Sequence, residues 1–92
     1  MIKSFRCKDT ESLFNGQRVK RFVSIQSVAV RKLNMIHVAK FLTDLAVPPA
    51  NRLEALKGNR TGQHSIRIND QFRVCFVWND TDAYEVEITD YH

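Results

Sequence analysis

The last three residues are Asp90, Tyr91 and His92: a carboxylate, a phenol and an imidazole side by side. Such a set suits metal-free cleavage of RNA, in which the 2′-hydroxyl attacks the neighbouring phosphate. That reaction needs a base for the hydroxyl, an acid for the leaving 5′-oxygen, and positive charge around a phosphorane-like transition state. Imidazole, ionising near about 6.5, serves either proton role. Asp90 would orient the ring or hold its charged form, and Tyr91 would stack on a base or donate to phosphate. A terminal histidine alone is weak evidence, because chain ends fray. Arg73 and Lys57, as a supply of positive charge, change its weight.

Three strands must carry most of this set. In 64–68, Ile66 and Ile68 alternate with Ser65 and Arg67; in 72–78, Phe72, Val74, Phe76 and Trp78 alternate with Arg73, Cys75 and Val77. In 84–90, Tyr84, Val86 and Ile88 alternate with Glu85, Glu87 and Thr89. The apolar sets must share one face, since a slip of one residue turns a strand's side chains over. That predicts Ile68 opposite Phe72 and Trp78 opposite Tyr84. Arg67 then faces Arg73, Thr89 faces Arg73 from the other side, and Tyr91 follows diagonally. Opposed arginines repel and weaken a sheet. A bound phosphate would reverse the sign of that effect; splaying into water would screen it.

Upstream, Asp9 or Thr10 caps a short helix through Phe14, with Asn15-Gly16 as its stop. Ser24 or Ser27 caps a longer helix whose apolar residues, Ile25, Val28, Ala29, Leu33, Ile36 and Phe41 to Leu45, keep a 3.6-residue rhythm. Val47-Pro48-Pro49 ends it. Met1–Phe5 reads as an edge strand. From Pro48 to Gly62 the chain reads as loop, anchored by Leu53 and Leu56 and carrying Arg52, Glu54, Lys57 and Arg60. Arg52, Arg60 and Arg67 are candidates for binding RNA phosphates.

Ninety-two residues allow one domain, 1–92. Residues 1–73 hold all 14 Lys and Arg against 5 acids, and residues 74–92 hold 5 acids and neither base, giving the net +4. A basic body suits a phosphate-rich partner. Cys7 and Cys75 make no disulfide framework, and no apolar run reaches a membrane span of about 20 residues. A reduced, cytoplasmic protein without membrane attachment is expected. Glycine-rich phosphate loops, HExxH, CxxC and GxSxG are missing, and His37, His64 and His92 lack metal-ligand spacing. No metal or cofactor is expected. His37 is read as a boundary residue and His64 as packing or capping.

The whole chain resembles the HigB toxins of the RelE superfamily. The matching stretches are Met1-Ile2-Lys3-Ser4-Phe5, Leu53-Glu54-Ala55-Leu56-Lys57-Gly58-Asn59-Arg60-Thr61-Gly62, Ser65-Ile66-Arg67 through Phe72-Arg73-Val74-Cys75-Phe76, and Asp90-Tyr91-His92. The resemblance implies a compact α+β domain, with two N-terminal helices on one face of a small antiparallel sheet and the cleft on the other. It implies a ribosome-dependent mRNA endonuclease that cuts the A-site codon, leaving a 2′,3′-cyclic phosphate and a 5′-hydroxyl. Lys57 and Arg73 would contact phosphate, and Asp90, Tyr91 and His92 would complete the catalytic set. Better-known members carry histidine where this chain has Glu54, so Glu54 is either a further catalytic candidate or an exposed polar residue.

The partners so implied are a HigA-like antitoxin, the ribosome with its mRNA, and operator DNA reached only through the antitoxin complex. Two other functions are compatible with such a chain. One is a same-fold toxin that binds a protein, as ParE-type members bind DNA gyrase; the other is a catalytically degenerate co-repressor module. The Asp90-Tyr91-His92 ending favours the nuclease, because inhibition by binding needs no proton-transfer group.

Overall fold

The computed structural model describes residues 1–90, in which two helices cover one face of an antiparallel sheet. Helix α1 spans Lys8–Phe14 and α2 spans Gln26–Val38. The strands are β1 Glu54–Ala55, β2 His64–Arg67, β3 Phe72–Asn79 and β4 Asp82–Asp90, paired in the order β1-β2-β3-β4. Met1–Phe5 runs along the outer edge of β4 through parallel bridges Ile2–Ala83 and Phe5–Val86, the edge strand expected from the sequence. The outer edge of β4 is closed further by α1, where the Thr10 hydroxyl accepts the Ile88 amide at 3.0 Å.

Alternation builds the core. Ile66, Val74, Phe76, Val86 and Ile88 meet Leu13, Phe22, Ala29, Leu33 and Ile36, and all are almost fully buried. Arg67 pairs with Arg73, and Arg73 with Thr89, as alternation requires. The expected pairing of Trp78 with Tyr84 is not formed: Trp78 lies opposite Ala83, and Tyr84 opposite Val77. The cause is a bulge. Two residues, Glu85 and Val86, stand between the partners of Cys75 and Val77, and Glu85 takes φ 55°. The extra residue lets both Ala83 and Val86 face the core, and turns Tyr84 to the opposite side of the sheet.

Helical boundaries differ from the periodic pattern. A 3-10 turn over Lys20–Ile25 leads directly into α2, so neither Ser24 nor Ser27 caps it. Nor does Asp9 or Thr10 cap α1, whose N-cap is Cys7. Helix α2 stops at Val38, and Leu42–Ala46 forms a separate 3-10 turn. The reason is local. The Asp44 carboxylate accepts the amides of Lys40 and Phe41, both at 3.0 Å, which a continuous helix would have used itself. The rhythm survives because Leu45 is still buried. Asp44→Ala should therefore lower stability by about 0.5–2 kcal/mol, as lost caps do. In a domain of this size that is a fall in Tm of about 4–8 °C per kcal/mol, readable by thermal melting.

The segment from Pro48 to Gly62 is more ordered than a plain loop. It holds a 3-10 turn at Pro49–Asn51, the edge strand β1, and another 3-10 turn at Gly58–Arg60. Cys7 and Cys75 are free thiols. No helix among the described residues is long and apolar enough to cross a membrane.

Candidate active site

On the sheet face away from the helices, alternation brings together Glu54 of β1, Ser65 and Arg67 of β2, Arg73 and Cys75 of β3, and Glu87 and Thr89 of β4. Arg73 stands at the centre with its side chain only 9% exposed. Burying a guanidinium is costly unless oxygen acceptors replace water. Here they do. Arg73 Nε donates to Ser65 Oγ at 2.8 Å, and Nη2 donates to the Arg52 carbonyl at 2.8 Å. Glu54 Oε1 lies 3.7 Å from the same Nη2. Arg52 contributes through its backbone: it follows the Pro49–Asn51 turn in the left-handed region, φ 47° and ψ 56°. Ser65 is fully buried. The result is a cation whose direction is set before any substrate arrives, the arrangement that best stabilises developing negative charge.

The other candidates surround this centre. Lys57 is exposed and immediately precedes the Gly58–Arg60 turn, whose Gly58 has φ 65°. That turn is tied down by Leu56 N to Gln63 O at 2.9 Å, Gln63 N to Arg60 O at 2.9 Å, and Thr61 Oγ1 to Gly58 O at 2.8 Å. A lysine on so fixed a stem can present its ammonium without ordering the loop again. Arg60 Nη1 reaches across to Glu87 Oε1 at 2.9 Å and Gln63 Oε1 at 3.0 Å. Arg6 lies 3.9 Å from the same carboxylate. Arg67 turns to Asp70. The opposed arginines are thus relieved by separate acceptors, Asp70 for one and Glu54, Ser65 and Arg52 for the other. Their pairing does not by itself call for a bound anion.

Asp90 ends β4 with its Oδ2 accepting Gln71 Nε2 at 3.0 Å. It lines a hollow of about 280 Å³ with Arg21, Phe22, Gln71, Phe72 and Ile88. By alternation that is the helix side of the sheet, opposite Arg73. Tyr91 and His92, two of the catalytic candidates, lie outside the described residues. Cys75 is no nucleophile: complete burial pushes its thiol up, so it stays protonated. His37 is half-buried, its Nδ1 accepting the Ile2 amide at 3.1 Å beside the Phe14 ring. His64 is half-buried and stacks on Phe76. These placements agree with the sequence reading of His37 as a surface or boundary residue and of His64 as packing or capping. Among the described residues no three His, Cys, Asp or Glu side chains gather as a metal site would require.

Sequence reasoning missed Ser65, the Arg52 carbonyl and the direct approach of Glu54 to Arg73. Ser65 carried a usable signal, a small polar residue alternating with isoleucines on a strand next to that of Arg73.

With this geometry in hand, the relatives are informative. A family model described as the RelE-like toxin of type II toxin-antitoxin system HigB matches residues 3–92. The chain is 38% identical over 82 residues to Toxin HigB-1 of Vibrio cholerae serotype O1, covering 87% of this chain and 86% of that protein. It is 34% identical over 94 residues to Endoribonuclease HigB of Proteus vulgaris, covering the whole of both. Among solved structures, a YafQ mutant from E. coli superposes with TM-score 0.63 at 13% identity, covering 98% of this chain and 91% of that one. The YoeB–YefM toxin-antitoxin complex from Staphylococcus aureus contains a chain matching with TM-score 0.58 at 22% identity, covering 100% and 98%. At those identities the structures speak for the fold, a RelE-like α+β domain, and the sequence matches speak for the family. This chain belongs to the HigB-like toxins, the RelE-like toxins of type II toxin–antitoxin systems.

Proposed function

We propose that this toxin is an endoribonuclease that cuts messenger RNA in the A site of the ribosome, without a metal ion. The observation that carries the reading is the buried guanidinium of Arg73, pre-set by Ser65, Arg52 and Glu54 on the open face of the sheet. The full-length relationship to a protein named as an endoribonuclease supports it. In the step proposed, the 2′-oxygen forms a bond to phosphorus as its proton passes to a base. The phosphorus–O5′ bond breaks, and the departing oxygen takes a proton from an acid. The products are a 2′,3′-cyclic phosphate and a 5′-hydroxyl.

Arg73 and Lys57 face the charge that grows on the phosphoryl oxygens. Glu54, half-exposed beside Arg73, is the candidate to accept the 2′-hydroxyl proton. His92 is the matching acid, with Tyr91 beside it; Asp90, whose side chain lies on the helix side of the sheet away from Arg73, would act by anchoring the tail rather than at the phosphate. Arg52, Arg60 and Arg67 supply flanking phosphate contacts, for which Arg60 and Arg67 would exchange their present carboxylate partners. The ribosome orients the message, so naked RNA should be a poor substrate. A HigA-like antitoxin is the partner that restrains the toxin, and operator DNA is contacted through that complex.

The test is expression without antitoxin, followed by 5′-end mapping of transcripts. Growth arrest with cuts inside codons is expected, and only on messages being translated. Arrest with intact messages and blocked DNA replication would assign a gyrase-type target instead. Normal growth beside retained antitoxin binding would assign a co-repressor role.

A further inference from the structure

The loop that grips Arg73 is itself held from the other layer of the molecule. Lys32, on the buried face of α2, is 7% exposed, and its Nζ donates to Asn51 Oδ1 at 2.5 Å. Asn51 is completely buried, and its Nδ2 donates to the Leu45 carbonyl at 3.1 Å and the Val47 carbonyl at 3.4 Å, with Met35 Sδ at 3.7 Å. The next residue is Arg52, whose left-handed backbone presents the carbonyl that receives Arg73. Two residues further on, Glu54 reaches the same guanidinium. A continuous run of contacts therefore leads from α2, round the β1 edge of the sheet, to the cation on its far face.

The choice of residue at each end of the first link is telling. An ammonium only donates, so it selects the oxygen end of the Asn51 amide and leaves the nitrogen end for the two carbonyls. A Leu or Met at position 32 would fill the same core space without the cost of burying a charge. Among the described residues Lys32 has no carboxylate partner to offset that cost. Burial, with Arg31 and Arg67 nearby, holds its amine below the usual lysine range. What the buried ammonium does supply is a fixed orientation for the Asn51 amide.

We propose that Lys32 and Asn51 are positioning residues for cleavage: they lock the turn before Arg52 so that its carbonyl and Glu54 hold the Arg73 guanidinium against the scissile phosphate. The proposal rests on the nuclease reading and is tested so that the two can fail separately. Single-turnover cleavage on programmed ribosomes is measured for Lys32→Met, Lys32→Gln, Asn51→Ala, Arg73→Ala and the double variant of Lys32→Met with Arg73→Ala. Rates are taken per folded toxin, titrated with antitoxin.

Lys32→Met and Asn51→Ala should slow cleavage by about 10- to 100-fold, with KM for the ribosome changed by less than about threefold, as loss of orientation rather than of binding predicts. Lys32→Gln, which keeps a donor toward Asn51, should recover most of the rate. In the Arg73→Ala background, Lys32→Met should cost less than about threefold more, because the guanidinium is gone and only Glu54 is left for the turn to hold. Parent-like rates for both Lys32→Met and Asn51→Ala beside a slow Arg73→Ala would overturn the proposal, as would multiplicative losses in the double variant. A parent-like Arg73→Ala would instead remove the site on which it rests.

Discussion

Arg73→Ala is expected to lower the single-turnover rate of message cleavage by about 10²–10³-fold, the usual loss when a pre-set donor to a developing oxyanion is removed. The magnitude follows from where the group stands. With its side chain 9% exposed, Arg73 acts where water is largely excluded, and there a charge contributes far more than at a surface. Its acceptors, Ser65 Oγ and the Arg52 carbonyl, belong to different elements, so their joint hold fixes the direction of the guanidinium as well as its position. Binding of programmed ribosomes should change much less, because the remaining basic side chains still meet the phosphate backbone. The substitution also leaves buried Ser65 with an unmatched hydroxyl, at a cost of about 1–3 kcal/mol. Melting and antitoxin titration must therefore accompany the kinetics. Cleavage within about threefold of the parent, per folded molecule, would remove the electrostatic core of the reading.

Much of this centre was legible in the sequence because a strand leaves little choice. Once Ile66, Ile68, Val74 and Ile88 are assigned to the core, Arg67, Arg73 and Thr89 must meet on the other face, and they do. Where the alternation is broken by one inserted residue, legibility ends. The bulge at Glu85 lets Ala83 join the core, and a pattern read without it misplaces Tyr84 by one side of the sheet. The overlong second helix has a comparable origin. Leu42 and Leu45 continue a helical rhythm, and nothing in that rhythm shows that a single carboxylate, Asp44, captures two backbone amides.

The uncharged parts of the site were the hardest to see. Ser65 alternates with isoleucines and Asn51 sits in a polar loop, and neither pattern reveals that both are fully buried, which is what gives a hydroxyl or an amide its leverage. Arg52 was singled out for its guanidinium, whereas the contact it makes to Arg73 is through its carbonyl. Repulsion between Arg67 and Arg73 suggested an anion. Nearby carboxylates already separate the two, so the case for phosphate rests on the fixed guanidinium rather than on frustrated charge.

Removing His92 should cost about 10²–10⁴-fold in cleavage, the range expected when a positioned acid or base is lost. Folding should scarcely notice. Helix-covered β4 contributes Ala83, Val86 and Ile88 to the core, all of them upstream of the deleted residue. Melting temperature and antitoxin affinity are thus predicted to stay at parent values, which separates this variant from Asp44→Ala and from Arg73→Ala. A second signature comes from proton transfer. If His92 protonates the leaving 5′-oxygen, a substrate with sulfur in place of that oxygen, which departs without needing a proton, should restore much of the rate lost on deletion. His92→Gln, which keeps a hydrogen bond donor but cannot give up its proton, should behave like the deletion. Full activity in either variant would leave the leaving group without its acid. The proton for the departing 5′-oxygen would then have to come from a group other than His92.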